Sequence, residues 1–404
     1  SVRERRDAWD RLPIVKYDTT PNGYELAFVN VIWRHGDRSA TSSMVGDKVK
    51  EDEWTFGGGG YGELSPIGMQ QHYELGKIMY DRYAKENKYL SSTFKAKEIY
   101  VHSTDKNRTI ISAMSNLVGM YSRPDAKSGN DYPALTSWPQ FFVPIAIHTE
   151  YGTNDHIGDP ATPCPRQDDL WKLVQKTNDY DKAVNNNYTQ ETLEYLRVNA
   201  GGDEKSINFE NVYKIWDNML CESIHFPSNV STWYPWYTKE IDEKVDTINN
   251  WGIDLVNGIM ENGIKNDIDL TVELPRIRGG SLINDVVDKS NGVIGCYRKR
   301  KFGDNSHCID NNRFFTNLKY HVISAHDSTL FSYLTVLGAK TKTIVGQGYP
   351  LYTAAVITEV GIDTRNGTNQ TVFRVVYHDD VNSDFRVITP FVTGCESEFC
   401  SFEV

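Results

Sequence analysis

The stretch Val29-Asn30-Val31-Ile32-Trp33-Arg34-His35-Gly36-Asp37-Arg38-Ser39 decides the reading of this 404-residue chain. Phe28, Val29, Val31, Ile32 and Trp33 form an apolar run suited to a central strand buried on both faces. The run stops on a histidine between two arginines, where open α/β sheets place their ligands, outside the carboxyl ends of the strands. Two guanidiniums beside one imidazole describe an anion site. Arginine presents a planar fork of donors matched to phosphate or carboxylate, and an imidazole among cations is held neutral, able to act as a nucleophile. Gly36 lets the backbone approach the anion closely.

Two further junctions repeat the form. Ile99-Tyr100-Val101 reads as a short strand ending at His102-Ser103-Thr104-Asp105. Arg108 then enters the first turn of a helix whose packed face is Ile110, Met114, Leu117, Val118 and Tyr121. A cation is unfavourable at a helix N-terminus unless an anion sits there, so Arg108 points to a bound anion. A strand over 320–324 is followed by Ala325-His326-Asp327-Ser328-Thr329 and a helix carrying Leu330, Leu334 and Leu337, stopped by Gly338. Ser65-Pro66 opens another helix as N-cap and first-turn proline, with Ile67, Leu75 and Met79 on its buried face. The glycines at 57–60 lack a following Lys-Ser or Lys-Thr and are no P-loop. Segments 352–360 and 371–377 read as an edge hairpin turned at Asn366-Gly367.

From 124 to 280 the alternation gives way to helical stripes, among them Leu170, Leu173 and Val174, then Phe209, Val212, Trp216, Met219 and Leu220. The expected fold is α/β: a central mixed, mostly parallel sheet flanked by helices. Residues 1–123 and 281–404 form its discontinuous core, and 124–280 an inserted, mainly α-helical cap. His148, His156 and His225 read there as ordinary packed or surface histidines.

A net charge of −11 argues against nucleic acid as a partner, since phosphate backbones demand a basic face. No apolar run is long enough for a transmembrane segment, and the chain reads as a mature soluble form. Six cysteines make no CxxC pair; Cys296 with Cys308 and Cys395 with Cys400 could each close a short loop, with the connectivity open. Sequons at Asn187, Asn229, Asn366 and Asn369 favour glycosylation in an oxidising secretory compartment.

Over most of its length the sequence resembles the histidine acid phosphatases, the RHGxR branch of the histidine phosphatase superfamily. The resemblance rests on Arg34-His35-Gly36-Asp37-Arg38, the run from Gly62 to His72, Ser103-Thr104-Asp105 with Arg108-Thr109, Cys164-Pro165-Arg166, Leu220-Cys221-Glu222-Ser223, Gly279-Gly280, Ser324-Ala325-His326-Asp327, and Gly394-Cys395 through Cys400. It implies hydrolysis of small phosphate-monoester substrates without metal or other cofactor, a secreted or lysosomal location, and a homodimer. His35 matches the family's nucleophile. Arg34, Arg38, Arg108 and His326 match the groups that hold the phosphoryl oxygens, and Asp327 matches the acid that protonates the leaving group. Cys164 and Cys221 are expected in disulfides with the other four. Two positions depart from the pattern: Ala40 stands where phytase-type members carry proline, and His102 where many relatives carry arginine.

Two other readings come from different classes. One is a catalytically silent phosphate or lipid binder, against which His35 and Asp327 count. The other is a metal-dependent hydrolase, for which no compact His and carboxylate cluster is visible. A last expectation concerns Asn107-Arg108-Thr109, a formal sequon that overlaps the anion site. A glycan on Asn107 would crowd the guanidinium beside it, so this sequon is expected to stay unused.

Overall fold

The computed structural model describes residues 10–15, 21, 23–303, 308, 314–344, 348–365 and 367–402. The apolar run becomes β1 (Tyr24–Arg34), with Phe28 through Trp33 at most 1% exposed. Such a strand must be covered on both sides. It lies inside an eight-stranded sheet of order β10-β8-β7-β1-β6-β2-β3, with β9 on β8. The other strands are β2 (Ile99–Ser103), β3 (His148–Thr149), β6 (Tyr320–Ala325), β7 (Ala355–Asp363), β8 (Gln370–His378), β9 (Phe385–Val387) and β10 (Cys400–Ser401). A separate two-stranded hairpin holds β4 (Ile264–Lys265) and β5 (Ile268–Asp269).

β1, β6, β2 and β3 are mutually parallel. β7 is antiparallel to β1, and β8 is antiparallel to β7 and so runs with β1; β9 and β10 oppose β8. Five of the eight strands therefore point one way, as the mixed, mostly parallel fold class requires. Register is what matters for the site: Trp33 pairs with Ser324, and Ser324 with Ser103. Three parallel strands thus end level, and the chemistry that follows each of them emerges on one rim.

Helices cover the sheet. α1 (Pro66–Tyr80) and α2 (Asn107–Tyr121) pack on each other so closely that a Cβ on Gly76 would lie 2.0 Å from the Asn116 carbonyl oxygen. Ser65 caps α1 as expected, its Oγ accepting from Gly68 N at 3.0 Å. Leu75 and Met79 are buried, but Ile67 is 43% and Met114 46% exposed, so two apolar positions assigned to packed faces point outward. Periodicity locates a stripe; its edges depend on how the neighbouring helix is tilted.

The segment between holds α3 (Pro165–Val174), α4 (Asn178–Asn185), α5 (Asn187–Ala200), α6 (Tyr213–His225), α7 (Pro227–Trp233) and α8 (Lys239–Val256). They gather a core of their own, including Leu170, Leu193, Ile215, Met219, Val245 and Ile248. α9 (Leu270–Phe302) begins in that core with Leu270 and Leu274 and carries Leu282 and Val286 into the core on one face of the sheet. After α10 (Phe314–Asn317), α11 (Asp327–Val336) follows β6 directly, and α12 (Lys340–Thr343) follows it.

Cys296–Cys308 and Cys395–Cys400 are disulfides. Cys164 and Cys221 are not: both are free thiols. The Cys221 sulfur is turned toward Arg38 Nη1 (3.6 Å) and the Tyr352 hydroxyl (3.8 Å), while Cys164 stands at the N-cap of α3. Asn187 and Asn229 are exposed, Asn369 is half-buried, and Asn366 lies outside the described residues.

Candidate active site

The rim gathers His35, Arg34, Arg38, Arg108, His326 and Asp327 from three separate junctions. His35 leaves the end of β1 with its N–H on the Ala325 carbonyl (3.0 Å), and its ring Nδ1 lies 2.8 Å from the Gly36 carbonyl oxygen. A carbonyl accepts only from N–H, so Nδ1 carries the proton and Nε2 keeps its lone pair. Nε2 has no hydrogen-bond partner among the described residues, and His35 lines a cavity of about 550 Å³. Burial, then the guanidiniums of Arg108, Arg38 and Arg34, hold the His35 pKa well below the usual imidazole range. Gly36 has no room for a side chain: a Cβ there would sit 2.5 Å from the Gly68 carbonyl oxygen of α1.

The three arginines are fastened differently. Arg34 donates from Nη1 to the Pro350 carbonyl (2.7 Å) and lies over the rings of Tyr352 (4.3 Å) and Tyr349 (4.9 Å). Its Nε is 3.1 Å from Asp327 Oδ2, an ion pair without hydrogen-bond geometry. Arg38 is held in a fork by Asp217 of α6, with Nη2 to Oδ1 at 2.8 Å and Nη1 to Oδ2 at 3.2 Å. Arg108, at the second position of α2, makes no ion pair among the described residues. Burial, with Arg38 adding to it, lowers its pKa to about 10. Gly62 (φ +76°) closes over it, and a Cβ there would meet Arg108 Nη1 at 3.2 Å. Arg34 Nη2, Arg38 Nε and Arg108 Nε are all buried without a hydrogen bond. Buried donors rarely go unpaired, and three guanidinium donors without a hydrogen bond on one rim give this place the chemistry to hold an anion.

His326 is the N-cap of α11 and Asp327 its first residue. His326 Nε2 is 3.0 Å from Thr104 Oγ1, and burial and Arg108 lower its pKa to about 3, so the ring is neutral. Its ring stands edge-on to His35, centroids 5.7 Å apart. Burial would raise the Asp327 carboxyl, but the Arg34 guanidinium and the Tyr349 hydroxyl outweigh it and hold the pKa below the ordinary value. No group of three or more His, Cys, Asp or Glu side chains among the described residues is arranged to hold a metal ion.

Sequence reasoning missed several participants. Asp217, 5% exposed, lies within a helical stripe otherwise read as core, and a carboxylate on a buried face is the signal that could have found it. His225 is no ordinary surface histidine: its Nε2 lies 2.7 Å from Asp37 Oδ2, which also accepts from Ser65 Oγ, so it braces the turn behind His35. His102, at the position that departs from the pattern, is paired with Asp155 Oδ2 at 3.0 Å. Asn107 is exposed and donates to Glu63 Oε1 at 3.0 Å.

Comparison with known proteins accords with this arrangement. The model of the histidine phosphatase superfamily, branch 2, matches residues 25–378. A Caenorhabditis elegans protein named as a candidate acid phosphatase is 31% identical over 388 residues, covering 93% of this chain and 83% of that one. Lysosomal acid phosphatase of Xenopus laevis is 29% identical over 307 residues, 76% of this chain and 60% of that one. Among solved structures, Hafnia alvei phytase in complex with myo-inositol hexakis sulphate superposes with a TM-score of 0.63 at 14% identity, covering 95% of both chains, a likeness of fold. With a family model spanning most of its length and a relative matched nearly end to end, this chain is a phosphatase that belongs to branch 2 of the histidine phosphatase superfamily.

Proposed function

We propose that the protein is an acid phosphatase that hydrolyses small phosphate monoesters through a phosphohistidine. The observation that carries this reading is the neutral His35, with Nε2 free and three unpaired guanidinium donors around it. In the first step Nε2 attacks phosphorus; the P–N bond forms, the P–O bond to the leaving group breaks, and Asp327 gives that oxygen a proton. Water then attacks phosphorus, the P–N bond breaks, and the proton of the water passes to the Asp327 carboxylate, restoring it as an acid. Arg34, Arg38 and Arg108 hold the equatorial oxygens, with the His326 ring beside them. Phosphoryl transfer needs positioning and charge stabilisation above all, and these cations supply both.

Arg34 pairs with Asp327 and favours its carboxylate form. A phosphate dianion arriving between them draws on the same guanidinium and raises the carboxyl pKa, so the acid form belongs to the complex and is favoured at low pH. Two disulfides and the lysosomal relatives support a secretory-pathway or lysosomal setting. A homodimer, glycans on Asn187, Asn229, Asn366 and Asn369, an unused Asn107 sequon, and a cap formed by 124–280 complete the proposal.

The test is His35→Ala with acid-quenched trapping. The wild type incubated with labelled substrate should yield acid-labile, base-stable protein-bound phosphate, and His35→Ala none. Its turnover should fall by roughly 10⁴-fold or more while circular dichroism is unchanged. Substantial hydrolysis by the variant would remove His35 from the role.

A further inference from the structure

The cavity lined by His35, Arg38 and Arg108 is also lined by a fourth cation with no part in the chemistry above. Arg278 of α9 is 7% exposed and lines this cavity together with Trp171, Phe209, Trp216 and Phe331. Its guanidinium is held in place by neutral oxygens. Nε donates to Asn257 Oδ1 (3.1 Å), and Nη1 donates to the Gln167 side-chain oxygen (3.0 Å) when the Gln167 nitrogen faces the Pro160 carbonyl (3.1 Å). Asn257 is itself oriented, donating from Nδ2 to the Ile253 carbonyl (2.8 Å) and accepting from Ser332 Oγ (3.3 Å). Nη2 is left without a hydrogen bond, and Arg278 makes no ion pair among the described residues. Asp159 also lines the cavity and acts on Arg278 through space only; its Oδ1 accepts from Ala161 N at 2.9 Å.

A buried guanidinium is costly unless compensated, and burial lowers the Arg278 pKa to about 10. Amide oxygens orient it but bring no charge. An arginine pre-oriented in this way, in an aromatic-walled cavity that it shares with His35, is suited to accept an anion from a ligand anchored at the reacting centre.

We propose that Arg278 forms a leaving-group subsite, selecting phosphate monoesters whose leaving group combines an aromatic or apolar body with a second anionic group, a carboxylate or a further phosphate. This rests on the phosphatase reading and adds a specificity-determining residue to it. The three rim arginines take the phosphoryl group that is transferred, the aromatic walls take the body of the leaving group, and Arg278 takes its far charge.

The experiment compares 2-, 3- and 4-carboxyphenyl phosphate with the corresponding carbamoylphenyl phosphates, near-isosteres that lack the charge. For at least one positional isomer the wild type should favour the carboxylate in kcat/KM by roughly tenfold or more, the worth of one charge-assisted hydrogen bond out of water. Arg278→Gln should bring that ratio close to one, Arg278→Lys should retain part of it, and Asp159→Asn should raise it by removing a competing carboxylate. Bisphosphorylated against monophosphorylated leaving groups, run in the same way, distinguishes the two sources of the second anion. A wild-type ratio below about threefold for every isomer, or a ratio untouched by Arg278→Gln, overturns the subsite. Failure to hydrolyse any of these esters would instead overturn the phosphatase reading, so the two outcomes stay separate.

Discussion

Two groups of buried arginines gather at different points along β1, and they are compensated in different ways. Around Val29, Glu359 of β7 lies fully buried between Arg374 (Nη2–Oε2 2.7 Å, Nε–Oε2 2.9 Å) and Arg82 (Nη2–Oε1 2.7 Å), with the Tyr83 hydroxyl on Oε1 at 2.7 Å and Glu398 on the far side of Arg374. Two cations meet two carboxylates there. Five residues along β1, the rim holds three cations, Arg34, Arg38 and Arg108, against two carboxylates, Asp217 and Asp327. The first cluster is closed and supports the fold. The second has more positive than negative side chains, which is what the proposed binding of a phosphoryl group requires. Burial of arginine alone does not separate structure from function; the presence or absence of the partner carboxylate does.

The sharpest way to break this contrast is to remove the shared carboxylate of the closed cluster. Glu359→Gln leaves Arg82 and Arg374 buried around a neutral amide and should destabilise the protein by about 3–5 kcal/mol, read as a lower midpoint in urea. The folded fraction should keep its kcat on nitrophenyl phosphate. A stable variant with impaired turnover would mean that the two clusters are one system.

The converse experiment acts on the open cluster. Arg108→Gln removes a cation that repels Arg38, so the melting temperature should hold or rise while kcat/KM falls by roughly 10²- to 10³-fold. Inorganic phosphate sharpens the same point. At a hundred times its Kd it should stabilise the wild type by about 2.7 kcal/mol, and by clearly less at that same concentration in Arg108→Gln. Equal protection of both proteins would place the anion elsewhere.

How much of this was legible depends on the range of the interaction. His35, Arg34 and Arg38 could be read because strand and loop chemistry lie within one short stretch, and Arg108 because a cation in a helix's first turn contradicts the local dipole. The parallel order that makes three such stretches converge is a property of register, visible in sequence only as repetition of the form. Asp217, 179 residues from Arg38, and Tyr349 and Tyr352 carry no local signal, since their partners are set by how α6 and the 349–352 turn dock. The free Cys164 and Cys221 were misread for the same reason. Even counting suggests pairing, whereas bonding needs two Cβ atoms within a few ångströms, and the Cys221 sulfur is turned toward Arg38 and Tyr352 instead.

The smallest effect, and the one that tests the contrast through titration alone, is the pH dependence of the Glu359 deficit. Burial raises this carboxyl, Arg374 and Arg82 reverse that, and the net pKa in the folded protein is about 2, below an ordinary 4.5. A carboxylate whose folded pKa is depressed contributes stability that is fully present above its unfolded pKa. That contribution is lost as pH falls through the folded value. Other carboxylates also titrate over that span, so the wild-type curve alone is ambiguous, but the difference between wild type and Glu359→Gln isolates one group. Because protonated glutamate and glutamine are near-isosteric and both neutral, the gap between the two proteins should be widest above pH 4.5 and narrow steadily as pH drops below it. Urea titrations at intervals between pH 6 and the lowest pH at which both proteins fold would measure it. A gap that stays constant with pH would mean that the loss comes from packing or hydrogen-bond geometry, not from the charge that closes this cluster and is lacking at the rim.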